Sequence, residues 1–326
     1  MTQESRRVGA SGLLVSAAGL GCNNFGRAGS RTGDLAGTRA VLDAAIEAGI
    51  TLMDTAESYG AELGLSETLM GEALKGRRHR VILATKFGHS ATQSPPGFLG
   101  AKASRAAVRQ SVEASLVRLQ TDWIDLYQVH TPDPATPIAE TLDALSDLVR
   151  EGKVRYLGHS NFTGWQIAEA AMVADARRTI PFVSAQNHYS LLARGAEREV
   201  LPAAERFGVG FLPYFPLNNG LLTGKFTRDS APADSRIMLR RPHIYEDAPW
   251  DALDAYRRFC DDRGITMLEA TFGWLLAQPG LCSVIAGATT PEQVTANAAA
   301  ASAWAPSPED LEAIDAIFPL PADPAA

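Results

Sequence analysis

Apolar positions along the chain fall into two alternating patterns. Short apolar runs occupy Ala17 to Leu20, Thr51 to Met53, Val81 to Thr85, Ile124 to Val129, Val154 to Leu157, Val183 to Gln186, Gly210 to Pro213 and Ser283 to Ala286. Each has the length of a buried strand. Between them the apolar residues recur every three or four positions, as in Val41, Leu42, Ala45 and Ile46, in Val108, Val112, Leu116 and Leu119, and in Ile138, Leu142, Leu145 and Val149. That spacing predicts helices with one buried stripe. Eight strand-helix units can close into a barrel, whereas an open doubly wound sheet wants fewer strands and a glycine-rich turn after the first. No GxGxxG occurs. The expected fold is α/β, a (β/α)8 TIM barrel with a short N-terminal β-hairpin around Gly12 and extra C-terminal helices.

Capping chemistry fixes several helix ends. Thr163 with Gln166, and Thr290 followed by Pro291 and Gln293, supply an N-cap residue with its partners. Two helices, near 250–263 and 268–277, are expected before the last strand. Ser307-Pro308-Glu309 opens a further one ending near Phe318. The polar segment Leu222 to Pro249 is expected to be a long loop, and such loops usually carry function.

Composition then narrows the class. The 326 residues are 46% hydrophobic and 21% charged, enough apolar material for one large core, so a single domain over 1–326 is expected. The formal net charge of −7, with no extended basic run, argues against a nucleic-acid partner. Cys22, Cys260 and Cys282 show no CxxC spacing and read as buried thiols of a reducing compartment. The start, Met1 to Arg7, is polar, and no apolar stretch approaches the roughly 20 residues of a membrane span. A cytoplasmic protein without a membrane partner is the expectation. No feature specifies an oligomeric state.

In a parallel barrel the reactive groups sit at the C-terminal ends of the strands. Those ends carry Asp54 with Tyr59 just beyond, Lys86, His130, Ser160 and Asn161, Gln186, and Tyr214. Period-two alternation puts Ile82, Ala84 and Lys86 on one strand face, and Leu126, Gln128 and His130 on one face of the next. Asp, Tyr, Lys and His around one cavity suit proton delivery to a carbonyl oxygen. The ammonium of Lys86, held by Asp54, is expected to lower the Tyr59 pKa, and a neutral His130 would orient the carbonyl. Singly each residue has a plainer reading as a cap, a surface group or a structural histidine.

The run Asp54-Thr55-Ala56-Glu57-Ser58-Tyr59-Gly60, with Glu67 beyond, resembles the signature of the aldo-keto reductases. The resemblance continues in order through Gly19-Leu20-Gly21, Ala84-Thr85-Lys86, Asp125 to His130, Gly152 to Arg155, Ser160-Asn161-Phe162, Tyr189 to Leu192, Gly220 to Lys225, and Gly287 to Asn297. It covers nearly the whole chain. It implies a catalytic tetrad of Asp54, Tyr59, Lys86 and His130, with Tyr59 as general acid, reducing a small aldehyde or ketone with NADPH, NADH being possible. It also implies that Ser160, Asn161 and Gln186 hold the nicotinamide carboxamide and that Tyr214 stacks on the ring. Gly21, Pro216 and Leu217 would line the cofactor cleft, Lys225 would approach the pyrophosphate, and Gln293 and Asn297 would reach the adenosine. Arg236 would meet the 2′-phosphate. Gly287, Thr289 and Thr290 end the last strand and enter a helix whose N-terminus favours a phosphate on physical grounds alone.

Four positions depart from the family pattern. Phe215 stands where serine is common, Ala296 where glutamate is, Thr289 where a basic residue is, and His159 where an apolar residue is. Loops near Phe25 and Phe87 and the 222–249 segment are expected to wall the substrate pocket, and the aromatic residues there hint at an apolar one. Three other readings stay open. His130, His159, His188 and Asp54 lie on strand ends where barrel metal hydrolases hold a metal, although the first strand lacks His-x-His. Lys86 could form a Schiff base, but the negative Asp54 keeps it protonated. The family also includes potassium-channel β subunits, so a cofactor-sensing binding protein is the third.

Overall fold

An antiparallel hairpin of β1 (Ser5–Arg7) and β2 (Leu14–Ser16) precedes the main sheet. Eight strands then pair in parallel: β3 (Ala18–Gly21), β4 (Leu52–Asp54), β5 (Ile82–Phe87), β6 (Ile124–Val129), β7 (Val154–Ser160), β8 (Phe182–His188), β9 (Gly210–Tyr214) and β10 (Val284–Gly287). Their order is β10-β3-β4-β5-β6-β7-β8-β9. The seam is bridged just ahead of β10, where Phe211 N donates to Gly280 O at 2.8 Å and Cys282 N to Phe211 O at 2.9 Å. The sheet therefore curls into a nearly closed barrel, as the alternation of runs predicts. This computed structural model describes residues 3–89, 100–233 and 235–321; the polar start at Met1 and Thr2 lies outside them.

One helix follows each of the first six barrel strands: α1 (Leu35–Glu47), α2 (Leu65–Ala73), α3 (Arg105–Leu119), α4 (Ile138–Arg150), α5 (Gly164–Arg177) and α6 (Val200–Arg206). Four more, α7 (Arg236–Arg240), α8 (His243–Glu246), α9 (Trp250–Arg263) and α10 (Met267–Leu276), stand between β9 and β10. The chain ends with α11 (Pro291–Ala303) and α12 (Pro308–Ile317). The predicted stripes are the buried ones: Val41, Leu42, Ala45 and Ile46 on α1, and Val108, Val112, Leu116 and Leu119 on α3. Caps fall where the sequence places them, with Thr290 accepting from Gln293 N and Ser307 from Asp310 N. The segment 222–249 differs from the expected loop. It folds α7 and α8 over a small core of Leu221, Phe226 and Ile237, with Tyr245 and Trp250 against it. Helices of one turn carry too few apolar repeats to show as a period.

The hairpin plugs one end of the barrel. Val8, Leu13 and Val15 pack against Leu52, Ala84, Leu126, Leu212 and Ile285, which point inward from the strands. Gly9 seats the plug: at φ +53°, a Cβ there would lie 2.4 Å from Gly208 O. With the N-terminal end of the barrel filled by apolar groups, the polar interior residues Asp54, Lys86, Gln128 and Gln186 gather toward the other end. The three cysteines are buried and unpaired.

His159 sits on the outer face of β7, stacked on Phe162 at 4.5 Å and edge-on to Phe182 at 5.2 Å. Burial pushes its pKa from 6.5 down to about 3. The folded state thus resists a proton that the unfolded chain takes up below about pH 6.5, and stability is lost as the pH falls through that window. At about pH 4.5 the loss through this one ring is on the order of 2–3 kcal/mol. Denaturant unfolding at neutral and acid pH is expected to show a smaller acid loss in His159→Phe, which keeps the ring packing, than in the wild type. An equal loss in both proteins would remove His159 from the acid response.

Candidate active site

The four residues expected to act on a carbonyl converge at the open end of the barrel. Asp54 ends β4, and the turn after it is pinned to β5 by Thr55 N donating to Ala84 O at 2.9 Å and Glu57 N to Lys86 O at 3.0 Å. Gly60 completes the turn at φ +113°, where a Cβ would come within 2.8 Å of Leu65 Cβ. These constraints aim Tyr59 back over the strand ends. Lys86 Nζ donates to Asp54 Oδ2 at 2.6 Å, to Thr55 O at 2.9 Å and to Tyr59 Oη at 3.3 Å. His130 stands edge-on to the Tyr59 ring, centroids 5.9 Å apart.

The electrostatics follow from burial. Lys86 is fully buried, which alone would lower its pKa, but Asp54 and Tyr59 together outweigh that and raise it. The lysine is therefore a fixed cation, and its Schiff-base reading loses its basis. Burial is also the main influence on His130, with the Lys86, His89 and Lys102 charges adding to it, and holds its pKa well below the usual value. The imidazole is neutral at neutral pH, as the sequence reading expects. Among the described residues, its buried Nδ1 meets no partner.

Tyr59 corrects one expectation. Lys86 does pull its pKa down, but burial pushes harder in the opposite direction and Asp54 adds to burial, so the phenol lies above its ordinary value of 10.0. The carboxylate that holds the lysine also cancels part of its charge at the phenol. Phe25 and Phe87 also differ from expectation. Both are fully buried in the layer between barrel and helices, Phe87 stacked on Tyr127 at 4.8 Å, so neither walls a pocket. Phe87 follows Lys86, and alternation along β5 turns it outward when Lys86 turns in.

Gln128 is a supporting residue that the strand-end argument passed over. Its Nε2 donates to Asp54 Oδ1 at 3.1 Å, beside Gln186 Nε2 at 3.0 Å. The inward alternation of β6 was the available signal. Glu67, the far end of the signature run, is structural: it accepts from Thr85 Oγ1 and from Arg118 Nε, both at 2.6 Å.

A second group joins the tetrad through hydrogen bonds. Asn161 Nδ2 donates to His130 O at 2.9 Å and to Ser160 Oγ at 3.0 Å, while Tyr214 Oη donates to Asn161 Oδ1 at 2.8 Å. Ser160 Oγ donates to Gln186 O at 2.7 Å, and Tyr214 lies parallel to His188 at 5.4 Å. Asn161, Phe215, Asn218 and Asn219 all have positive φ, from 42° to 62°. For asparagine this conformation costs little, but a phenylalanine there is strained, and such strain gathers at functional sites.

The remaining predicted residues lie on several elements. Gly21 pairs with Gly287 across β3 and β10. Pro216 and Leu217 follow Phe215, and Lys225 Nζ lies 5.3 Å over the Phe226 ring. Arg236 opens α7 and lies 5.7 Å over the Phe215 ring. Its pKa falls to about 10, first through burial and then through Arg27, Arg241 and Arg240. Asn297 is buried on α11. At the start of α11, Gln293 Oε1 accepts from Thr289 N at 2.8 Å, the Thr290 hydroxyl caps Gln293 N, and Glu292 adds a negative charge to the first turn. Among the described residues no group of three or more His, Cys, Asp or Glu could hold a metal ion, and no helix is long and apolar enough to cross a membrane.

Comparison with known proteins supplies the family. The model of the aldo/keto reductase family matches residues 18–318, and the chain belongs to that family. It is 38% identical to an uncharacterized oxidoreductase, YrpG, of Bacillus subtilis, over 88% of this chain and 87% of that one. It is 34% identical to the NADH-specific methylglyoxal reductase of Escherichia coli, over 90% and 92% of the two chains. A probable voltage-gated potassium channel subunit beta of Arabidopsis thaliana is 31% identical, over 90% and 89%. The protein is thus an oxidoreductase of the carbonyl-reducing type, using a nicotinamide cofactor and a small carbonyl substrate.

Proposed function

We propose that the protein reduces a small aldehyde or ketone to the alcohol with NADPH, Tyr59 giving the proton. The observation that carries this reading is the chain Asp54 Oδ2 to Lys86 Nζ to Tyr59 Oη, at 2.6 and 3.3 Å, with a neutral His130 across the ring. When bound, the cofactor supplies the hydride. The phenol, kept protonated by its raised pKa, donates to the oxygen that becomes an alkoxide. The nearby Lys86 ammonium steadies the charge left on Tyr59, and a His130 N–H directed at the same oxygen orients it. Conversion of an aldehyde panel with consumption of NADPH tests the reaction. Binding of NADPH with no turnover of any carbonyl would favour a cofactor sensor, a reading motivated by the likeness to the channel β subunits.

The residues around the cleft fit a dinucleotide. In this reading Ser160, Asn161 and Gln186 hold the carboxamide, Tyr214 covers the ring, and Gly21, Pro216, Leu217, Lys225, Gly287, Thr289, Gln293 and Asn297 line the rest. The preference for NADPH rests on Arg236. Among the described residues its Nε is buried without a partner, and three further arginines crowd its charge. A phosphate dianion would relieve that crowding. Charge-assisted bonds of roughly 1.5–3 kcal/mol correspond to about one to two decades in affinity. Arg236→Ala is expected to raise the Kd for NADPH by that factor and the Kd for NADH much less, as read by equilibrium titration. Equal losses for both cofactors, or none, would move 2′-phosphate recognition elsewhere or abolish it. A relative that is NADH-specific makes this comparison informative.

A further inference from the structure

Two separate segments bring four arginines to the open end of the barrel. Arg27 lies on the loop between β3 and α1, whereas Arg236, Arg240 and Arg241 come from α7 and the residue after it. The segments touch where Arg240 Nη2 donates to Ala28 O. The chain as a whole is acidic, with a formal net charge of −7, yet among the described residues none of the four is paired with a carboxylate. In the proposed reading the 2′-phosphate goes to Arg236 and Lys225 takes the pyrophosphate. A phosphate carries at most about two negative charges, so part of the arginine charge stays unanswered.

Arg27 is the member tied to the catalytic turn. Ala61, two residues beyond Tyr59, donates its N–H to Gly26 O at 2.8 Å. The loop is also closed by its own bonds: Arg27 N donates to Asn24 O at 3.3 Å, Ser30 N to Arg27 O at 3.0 Å, and the buried Thr32 hydroxyl to Asn24 O at 3.0 Å. The guanidinium therefore stands on a fixed base. Arg27 is half-buried and donates from Nη2 to Asn23 O at 3.0 Å. Among the described residues its Nε and Nη1 meet no partner, and unlike Arg236 Nε they are not sealed from solvent. A ligand can reach them. Burial lowers the Arg27 pKa and the Arg240 and Arg241 charges add to that, while Tyr59 acts in the opposite sense, so the phenol lies within range of its field.

We infer that Arg27 anchors the substrate, and that the substrate is an aldehyde carrying a carboxylate remote from its carbonyl, a role that rests on the carbonyl-reducing reading of the same site. A carboxylate matches the planar guanidinium fork, and as a monoanion it matches the single charge of Arg27. The test compares 4-formylbenzoate with its methyl ester, which keeps the ring and the aldehyde and loses the charge. With NADPH, kcat/KM for the acid is expected to exceed that for the ester by about one to two decades, through KM. Arg27→Gln should abolish that preference while the Kd for NADPH stays within about fivefold, and Arg27→Lys, which keeps the charge, should retain part of it. An acid reduced no better than the ester would overturn the proposal, as would a preference that survives Arg27→Gln. A larger rise in the NADPH Kd of that variant would also overturn it, by placing Arg27 on the cofactor. Turnover of both aldehydes without preference leaves the proposed function intact. If neither is reduced, the proposed function fails, and calorimetric titration of both into the protein with NADPH decides. Tighter binding of the acid, lost in Arg27→Gln, would support the anchor, and equal binding would overturn it.

Discussion

Tyr59→Phe is expected to lower carbonyl reduction by a factor of about 10² to 10⁴ while NADPH binding stays within about twofold. The substitution removes one oxygen from a half-buried ring that already packs against His130, so the site keeps its shape and loses only its proton donor. His130 cannot replace it well, because burial holds its pKa well below the usual value, so at neutral pH the ring lacks the extra proton that an acid would give. Because burial lifts the Tyr59 pKa above 10.0, the wild-type rate of reduction should show no basic limb from this group through the neutral range. Steady-state kinetics with a reduced nicotinamide cofactor reads both quantities. A loss of less than about tenfold would remove Tyr59 from the role of acid.

Lys86→Met is expected to damage both activity and stability, for separable reasons. It leaves the Asp54 carboxylate buried with only the Gln128 and Gln186 amides as side-chain donors, and stranding a buried charge in this way costs about 3–5 kcal/mol. Adding Asp54→Asn removes the stranded charge and should restore most of the loss in denaturant unfolding. Activity should not return with it. Lys86 acts on Tyr59 more strongly than Asp54 does, so deleting both charges still moves the phenol pKa upward, and the basic limb of reduction shifts to higher pH. An unchanged limb in the double variant would show that the ammonium does not act on the phenol.

The barrel was legible because its pattern is redundant. Each strand run is flanked by a helix stripe, and burial of Val108, Val112, Leu116 and Leu119 on α3 follows from spacing alone. Strand ends marked Asp54, Lys86 and His130 as neighbours, since parallel barrel strands carry their C-terminal ends to one rim; in register Asp54 faces Ala84 and Lys86 faces Gln128, each two residues short of the next group. The misses have a common physical origin in quantities that sequence order does not carry. The direction of the Tyr59 shift depends on how completely the phenol is desolvated, which a list of neighbours does not give. Phe25 and Phe87 looked like pocket residues because they sit beside functional positions, yet alternation sends Phe87 to the opposite face. Asp125, within the family-like run ending at His130, is a structural anchor that accepts from Arg78 and Arg155 at 2.7 Å each. Position within a motif does not separate such anchors from reactive groups. At the start of α11 the free backbone N–H groups follow from the N-cap pattern, whereas the bond from Thr289 N to Gln293 Oε1 depends on a side-chain rotamer that sequence order does not carry.

The most direct measurement follows the hydrogen itself. NADPH deuterated at the transferable position of the nicotinamide is incubated with the wild-type protein and an aldehyde, and the alcohol is examined by mass spectrometry and NMR. The account predicts one deuterium on the carbinol carbon for each cofactor consumed, with product formation slowed by about 10² to 10⁴ in Tyr59→Phe. Alcohol without the label, cofactor that is bound but never consumed, or an undiminished rate in Tyr59→Phe would contradict it.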